Sequence, residues 1–319
     1  MFDNLPDIQN DKRSNHPKLA INKVGVRNIL VPFKLMRKNG ETIQTNARVS
    51  SYCDLVPDLK GINMSRISRT INDVLSRQSS TGFAGLEDFA QELAKAHGTD
   101  NIWVKAHFEF SFKDKTPSTG IISYEPVIVT FESILKENDI RNYVTVETVE
   151  MSLCPCSKEM SLLKNNISKE EAHELGKVSY PLRQKIFASG FGAHNQRSNI
   201  QVKVELDSSR KSLMWIEDIV EIIKKGASSP TWSTLKRPDE KWVTEVSYMG
   251  GFFNEDHKFV KVGGGPRFVE DIVRYIAVGL NLELDSRIAD YCIIVNNEES
   301  IHSGNIMATS VMTAGRELS

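Results

Sequence analysis

In the first 131 residues, hydrophobic residues recur at every second position in some segments and about once per helical turn in others. The shorter period predicts strands with one buried face, and the longer one predicts amphipathic helices. Apolar side chains alternate with polar ones from Val104 to Phe112, whereas residues 86–97 carry an apolar stripe before Gly98. The predicted order is two strands, two helices and two strands, over residues 24–33, 41–53, 64–76, 86–97, 102–112 and 121–131.

The second half of the chain repeats this order. Two predicted strands are followed by two predicted helices, the first of which Gly226 ends, and then by two further strands. The repeated order predicts a structural duplication, although the halves share no significant sequence identity. Helices inserted between the second and third strand favour an α+β fold, with antiparallel sheet in one layer and helices in the other. The predicted elements are residues 142–153, 200–206, 214–225, 268–282, 287–296 and 306–313.

These patterns predict how the chain is divided. Residues 1–18 are polar and are expected to form a flexible N-terminal arm. Residues 19–140 are expected to form the first module and residues 141–319 the second. Two inserts interrupt the second module: a polar, partly helical one at about 161–185 and a glycine-rich, irregular one at about 250–266.

Composition and charge exclude several classes of function. The chain has 319 residues, 40% of them hydrophobic and 25% charged, with a formal net charge of −1. These values are ordinary for a globular protein and predict neither a nucleic-acid partner nor a membrane surface. Any phosphate-binding site must therefore be local. The first seven residues lack the order of a signal peptide, and no apolar run approaches the length of about 20 residues that spans a bilayer.

The four cysteines do not form a disulfide framework in a chain of this length. Cys154 and Cys156 are separated by one residue, which is too close for an unstrained bridge. Cys53 and Cys292 lie in apolar surroundings and are expected to be small core residues. A reducing, cytoplasmic location fits this usage best.

Thiol, imidazole and carboxylate groups in the second half point to a catalytic metal site. Cys154 and Cys156 follow a predicted strand, His194 lies in a polar run before another strand, and Glu240 lies in a charged segment. Such ligands hold zinc, iron or manganese and leave a position open for water. The alternatives are incidental thiols, a satisfied polar histidine and a solvated carboxylate. A structural zinc site would require four regularly spaced ligands, and that spacing is absent.

Three further residues are candidates for substrate contact and proton transfer. Glu270 opens a predicted helix, where it either interacts favourably with the helix dipole or accepts two N–H groups from a guanine-like ring edge. Glu299 and His302 follow a predicted strand and suit proton transfer, although an ordinary loop would look the same. Three consecutive glycines from Gly263 more often indicate plain flexibility than a phosphate site.

Five spaced motifs, read together, resemble the type IB GTP cyclohydrolase family, and the resemblance runs from about residue 7 to residue 302. Residues 60–66 of the first half match as well. The motifs are SLCPCSKE at 152–159, GAHNQRS at 192–198, LKRPDEKWVTE at 235–245, FVED at 268–271 and ESIH at 299–302. The resemblance implies two tandem tunnelling-fold modules in each subunit. It also implies a homotetramer whose active sites lie at subunit interfaces.

The resemblance further implies hydrolysis of GTP to 7,8-dihydroneopterin triphosphate and formate, the entry step to folate and related pterins. Water activated by a divalent metal (manganese, iron or zinc) would attack C8 of guanine. Carried over motif by motif, Cys154, His194 and Glu240 are the metal ligands. The remaining implied roles are Glu270 at the guanine edge and His302 and Glu299 as the acid/base pair. Beside these, we expect Cys156 to be a further catalytic residue and Arg197, Lys158 and Arg66 to lie near the triphosphate.

The chain departs from the family pattern at three places. Asn63 stands where members commonly have histidine, Ser303 follows His302 where a second histidine is common, and about thirty extra residues separate the cysteine and histidine motifs. Beside the main interpretation, two alternatives stay open. One is a cyclohydrolase that yields a 2′,3′-cyclic phosphate, and the other is a non-catalytic protein that binds a purine or pterin.

Overall fold

The computed structural model describes residues 9, 15–75, 82–164, 192–209, 214–284 and 286–314. Most of the predicted N-terminal arm and most of the first predicted insert lie outside the described residues. The strands are β1 (Ile21–Met36), β2 (Thr42–Leu55), β3 (Ile102–Lys115), β4 (Ile122–Lys136), β5 (Asp139–Leu153), β6 (Asn195–Leu206), β7 (Gly251–Phe253), β8 (Phe259–Lys261), β9 (Ile288–Glu298) and β10 (Met307–Thr313). The helices are α1 (Met64–Leu75), α2 (Gly82–His97), α3 (Pro155–Lys164), α4 (Ile216–Gly226), α5 (Arg237–Met249) and α6 (Val269–Glu283).

The fold is α+β, as predicted, and long antiparallel strands dominate it. Eight strands hydrogen-bond as neighbours in the order β1-β2-β3-β4-β5-β6-β9-β10, and β7 pairs with β8 in a separate hairpin. The pairs β1–β2, β2–β3 and β9–β10 are antiparallel. The alternation predicted for β3 is confirmed, because Val104, Ala106, Phe108 and Phe110 are buried while Lys105 between them is exposed.

The chain divides into two compact units. The first comprises residues 1–110, 128–145 and 204–215. Its helices α1 and α2 pack on each other and on β1. Aromatic rings fill its core: Phe108 meets Phe131 edge to face at 5.3 Å, and Phe83 stacks on Phe131 at 4.3 Å. Gly98 ends α2 with a positive φ of 67°, as the sequence predicts.

The second unit comprises residues 111–127, 146–203 and 216–319, and it contains most of the predicted site residues. Helix α6 packs against α4, β9 and β10. The two helices approach closely at glycines. A Cβ on Gly226 would lie 2.4 Å from Cγ1 of Ile276, and one on Gly279 would lie 2.7 Å from Cγ2 of Ile222. Glycine at both positions therefore permits the close packing.

The predicted order of elements is confirmed in the first half and is incomplete in the second. Helices α3 and α5 and the β7–β8 hairpin add to the predicted order. The hairpin lies inside the segment that was expected to be irregular, so that expectation was wrong for its six strand residues. The predicted division at residues 19–140 and 141–319 stays a prediction.

Candidate active site

Cys154 lies between the end of β5 and the start of α3. Pro155 is the first residue of the helix, where the lack of a backbone N–H has no cost. The backbone N–H of Ser157 donates to Cys154 Sγ over 3.5 Å, and the N–H of Lys158 donates to the Cys154 carbonyl over 3.3 Å. The helix N-terminus and the Ser157 N–H therefore direct partial positive charge toward the sulfur.

Cys156 occupies the first turn of α3 and is exposed. The backbone around Pro155 is therefore the beginning of a helix. The prediction that Cys53 and Cys292 are core residues is confirmed, since both are buried. Burial raises the pKa of the Cys53 thiol to about 11, so this sulfur stays protonated and is a poor ligand.

His194 immediately precedes β6 and is paired with the cysteine motif through the main chain. The backbone N–H of Cys154 donates to the His194 carbonyl oxygen over 3.1 Å. On the imidazole, Nδ1 lies 3.4 Å from the hydroxyl oxygen of Ser300. In metal sites, a hydrogen bond to one nitrogen of a histidine ring orients the ring. In His194 the nitrogen left for a metal is then Nε2.

Glu299 and His302 lie in the connection between β9 and β10. The N–H of Glu299 donates to the carbonyl of Ile306 over 3.0 Å, and the N–H of His302 donates to the Glu299 carbonyl over 3.2 Å. The Gln196 amide donates to Glu299 Oε1 over 3.2 Å. The His302 side chain is exposed. The structure thus brings the β9–β10 connection to the histidine motif through Gln196–Glu299 and Ser300–His194.

Glu240 lies in the first turn of α5 and is exposed, so the charged segment that contains it is a helix terminus. Its neighbour Asp239 is buried and fixes this terminus. Asp239 accepts the N–H groups of Ser118 and Thr119, both at 2.9 Å, the Thr119 hydroxyl at 2.7 Å and the Lys236 N–H at 3.1 Å. Burial alone would raise the pKa of Asp239, but these hydrogen bonds lower it well below its ordinary value.

Glu270 is an exposed first-turn residue of α6, as the sequence predicts. The helix begins where the N–H of Phe268 donates to Asp271 Oδ2 over 3.1 Å. Because Asp271 binds this backbone group, the Glu270 carboxylate is not used as the cap. It remains available for a ligand at a helix end that favours negative charge.

The three predicted phosphate-binding cations have different surroundings. Arg197 is exposed on β6. Lys158 is half-buried, and its ammonium donates to the Tyr248 carbonyl over 2.5 Å and lies 4.7 Å from the centre of the Tyr248 ring. Burial lowers the pKa of Lys158 to about 8, although Glu159 opposes the shift. Arg66 belongs to the first compact unit and donates to the Ala96 carbonyl over 3.2 Å.

Within the part of the chain that the structure describes, no three His, Cys, Asp or Glu side chains converge closely enough to hold a metal ion. The structure pairs Cys154 with His194 and does not add Glu240 to them. The donor types nevertheless fit a divalent metal, since thiolate, imidazole and carboxylate are the usual ligands of zinc and of iron. Among the same described residues, no helix has the length and apolar character needed to span a bilayer.

Two residues near the predicted site were given no role from the sequence. Ser300 contacts the His194 ring, and Gln196 holds the Glu299 carboxylate. Both lie inside the motifs that carry the family resemblance, at positions next to or two residues from a predicted site residue. The signal available in the sequence was therefore that each is a polar residue next to, or two residues from, a predicted site residue.

These elements define the chain as an α+β protein of the tunnelling-fold class, in which Cys154 and His194 are joined through their main chains at the ends of two strands. Solved structures of this class are similar throughout their length. Uricase from Arthrobacter globiformis matches with a TM-score of 0.51 at 8% identity, covering 93% of this chain and 94% of that one. Urate oxidase from Bacillus sp. TB-90 matches with a TM-score of 0.51 at 8% identity, covering 93% of this chain and 100% of that one. At this identity the likeness shows the fold alone.

The chain belongs to the type I GTP cyclohydrolase folE2 family, whose model matches residues 5–308. A protein of Geobacter sulfurreducens named GTP cyclohydrolase FolE2 is 33% identical over 304 residues, covering 95% of this chain and 96% of that one. A protein of the same name from Magnetococcus marinus is 30% identical over 304 residues, covering 95% of this chain and 94% of that one. The resemblance inferred from the five motifs is thereby confirmed.

Proposed function

We propose that this protein hydrolyses GTP to 7,8-dihydroneopterin triphosphate and formate, the first step of folate and pterin synthesis. The observation that carries the proposal is the family match over residues 5–308, which includes all five motifs. Two side-chain contacts between motifs support it, because Gln196–Glu299 and His194–Ser300 join the histidine motif to the β9–β10 connection. A non-catalytic binding protein would not need the carboxylate of the proposed acid/base pair to be held in this way.

Cys154, His194 and Glu240 are the proposed ligands of a divalent metal. The proposal is supported by the main-chain bond between Cys154 and His194 and by the N–H of Ser157 directed at the sulfur. With Nδ1 of His194 bonded to Ser300, Nε2 is the nitrogen left for the metal. When bound, a divalent ion lowers the pKa of water, which is the activation that hydrolysis at C8 of guanine requires.

Glu270 is proposed to anchor the guanine edge. An ionised carboxylate accepts two parallel N–H bonds, the pattern that the amide and amino groups of guanine offer. His302 is proposed to donate a proton to the ring nitrogen that departs when the imidazole ring opens. Glu299, oriented by the Gln196 amide, is the proposed partner that accepts a proton released by the attacking water and passes it to His302. Cys156, exposed two residues from Cys154, is the proposed further catalytic group.

Arg197, Lys158 and Arg66 are the proposed cations for the triphosphate. The exposure of Arg197 supports its role most directly, whereas Lys158 already donates to Tyr248 and Arg66 to Ala96. We also propose a homotetramer with active sites at subunit interfaces. A second copy of the chain would then supply site residues that one chain alone does not bring together.

The experiment is product analysis with metal-stripped protein to which Mn²⁺, Fe²⁺ or Zn²⁺ is returned. Formate release and pterin fluorescence after mild oxidation are followed together, and the product mass is determined. Cys154→Ala and Glu240→Gln are tested beside Cys292→Ala, a buried cysteine on β9 that serves as the control. Size-exclusion chromatography with light scattering measures the assembly state.

The expected result is metal-dependent formate release with a triphosphate product, lost in Cys154→Ala and Glu240→Gln and retained in Cys292→Ala. A product with the mass of a cyclic phosphate would assign the chain to that variant reaction. GTP binding without formate release for every metal would contradict the enzyme and leave a purine-binding protein. Full activity in Glu240→Gln would remove Glu240 from the ligand set.

A further inference from the structure

Beneath the candidate site lies a buried carboxamide that is hydrogen-bonded at both ends. Asn297 is 2% exposed, and its two serine partners, Ser152 and Ser198, are each 0% exposed. The Ser198 hydroxyl donates to Asn297 Oδ1 over 2.6 Å, and Asn297 Nδ2 donates to the Ser152 hydroxyl oxygen over 3.1 Å. One amide therefore joins side chains from three strands.

Each of these strands also carries a proposed site residue. Ser152 is on β5, two residues before Cys154. Ser198 is on β6, four residues after His194, and Asn297 is on β9, two residues before Glu299. Because a strand is stiff over so few residues, the positions of the three buried side chains constrain where the three site residues lie.

The network continues to the segment that opens α6. The Ser152 hydroxyl donates to the Arg267 carbonyl over 3.2 Å, and the Arg267 N–H donates to the Leu153 carbonyl over 3.1 Å. The Arg267 guanidinium donates to the carbonyls of Lys225 and Ala227, at 2.7 and 2.8 Å, and covers the Tyr275 ring at 3.8 Å. Arg267 is thus held on two sides, three residues before Glu270.

A buried polar network of this kind is not the simplest way to stabilise a sheet. Other interior positions on the same strands are apolar, including Val146, Val202 and Val295, although Glu150 on β5 is also buried. Apolar residues of similar size are often equally or more stabilising than buried polar groups, whereas a paired amide requires one particular arrangement of its partners. The network therefore favours a defined strand arrangement over maximal stability.

We propose that Asn297 is a positioning residue that sets the relative positions of Cys154, His194 and Glu299 through Ser152 and Ser198. The inference rests on the proposed metal ligands and goes beyond them, because Asn297 is buried and is not among the proposed ligands. Loss of either hydroxyl would leave the strands paired through their backbones and free one end of the amide. The expected defect is a looser metal site within a folded protein.

The chain offers a matched control in its first compact unit. The hydroxyl of Ser133, a residue that is 0% exposed, donates to Asn142 Oδ1 over 2.7 Å, which is the same chemistry as Ser198 with Asn297. The test compares Ser152→Ala, Ser198→Ala and Asn297→Leu with Ser133→Ala. Calorimetry on metal-stripped protein gives the Kd for Zn²⁺ and Mn²⁺, and the visible spectrum of added Co²⁺ reports ligand geometry. Thermal unfolding gives the Tm of each variant, and steady-state kinetics with GTP give kcat and KM separately.

We expect Ser152→Ala and Ser198→Ala to raise the metal Kd about tenfold, within the range typical of outer-shell partners of metal ligands. The Co²⁺ spectrum should change, and kcat should fall more than KM rises. Ser133→Ala should lower the Tm by a similar amount and leave the Kd within twofold of the wild-type value. Asn297→Leu should show the largest change in Kd, and if it does not fold, the two serine variants decide.

The inference is overturned if both site-side serine variants lose thermal stability as Ser133→Ala does yet keep the wild-type Kd, Co²⁺ spectrum and kcat. The network would then be structural only. A failure of the proposed function gives a different result, because the wild-type protein itself would then bind none of Zn²⁺, Mn²⁺ and Co²⁺. In that case the metal site is wrong, and the positioning role falls with it.

Discussion

The backbone N–H of Cys154 donates to the carbonyl oxygen of His194 over 3.1 Å, although 40 positions separate the two residues in the sequence. The two proposed metal ligands are thus joined by main-chain atoms, and only a proline at position 154 would remove the donor. The 27 residues 165–191, which lie between them, are outside the described residues. Because this bond is independent of side-chain identity, substitutions at the site should change its chemistry more than its fold.

Replacing His302 should separate catalysis from binding. We expect His302→Gln to lower kcat about 10²–10³-fold, because positioned proton transfer contributes a factor of this order. GTP affinity, measured by calorimetry, should stay within threefold, since the side chain is exposed and Glu270 is the proposed base anchor. His107→Gln, which changes an exposed imidazole on β3, is the control. Unchanged turnover in His302→Gln would count against the assigned role.

Arg197 and Lys158 should differ as phosphate contacts. We expect Arg197→Ala to raise the KM for GTP about tenfold, equivalent to about 1.4 kcal/mol of lost binding. Lys158→Met should raise it less than threefold and should instead lower the Tm, because its ammonium is engaged by the Tyr248 carbonyl and ring. Steady-state kinetics and thermal unfolding of both variants test the contrast. A larger KM effect in Lys158→Met than in Arg197→Ala would reverse the assignment.

Asp239 should stabilise the start of α5. Asp239→Asn places an NH₂ group opposite the Lys236 N–H, so two donors face each other, and we expect a loss of about 2 kcal/mol in the free energy of unfolding at pH 7. The pKa of Asp239 in the folded protein lies below its ordinary value of 3.8. The stabilisation is therefore complete above that value and is lost as the pH falls toward the folded pKa.

Urea unfolding between pH 3 and pH 7 measures this difference. The difference in the free energy of unfolding between the wild-type protein and Asp239→Asn should become smaller as the pH falls. Asp256→Asn, an exposed residue of the β7–β8 turn, should show no such difference at any pH. A difference that is independent of pH would mean that the charge of Asp239 contributes nothing.

Glu150 should give the opposite pH dependence. It is buried on β5 and accepts the Thr231 N–H over 2.8 Å and the Thr148 hydroxyl over 3.2 Å. Burial raises the pKa of Glu150 to about 7, although the charge of Lys224 and these hydrogen bonds oppose the shift. Its contribution to stability is complete below the ordinary value of 4.5 and is lost as the pH rises to about 7.

The check is the free energy of unfolding at several pH values for the wild-type protein and Glu150→Gln. Between pH 5 and pH 7 the wild-type protein should lose stability relative to the variant, at up to about 1.4 kcal/mol per pH unit. Glu137→Gln, an exposed carboxylate after β4, is the control and should leave the slope unchanged. Parallel curves for the wild-type protein and Glu150→Gln would refute the raised pKa.

The sequence by itself determined the periodic elements and the family. Alternation and apolar stripes predicted the eight strands of the large sheet and the four helices α1, α2, α4 and α6, because burial of one face leaves a direct periodic trace. It also identified Cys154, His194 and Glu299 as candidates, because their residue types and motif order are specific. Helix α5 left a weaker trace: its first turn is charged, and its Asp239 acts through the distant residues Ser118 and Thr119.

Only the tertiary structure decided which of the candidates meet. The bond from Cys154 to His194 and the contact of Ser300 with the His194 ring join residues that are 40 or more positions apart. The role of Asn297 was likewise invisible, since an asparagine near a strand end looks like a turn residue until its buried serine partners are known. Local sequence records which face of an element is buried, whereas hydrogen bonds between distant strands depend on the register that the folded sheet imposes.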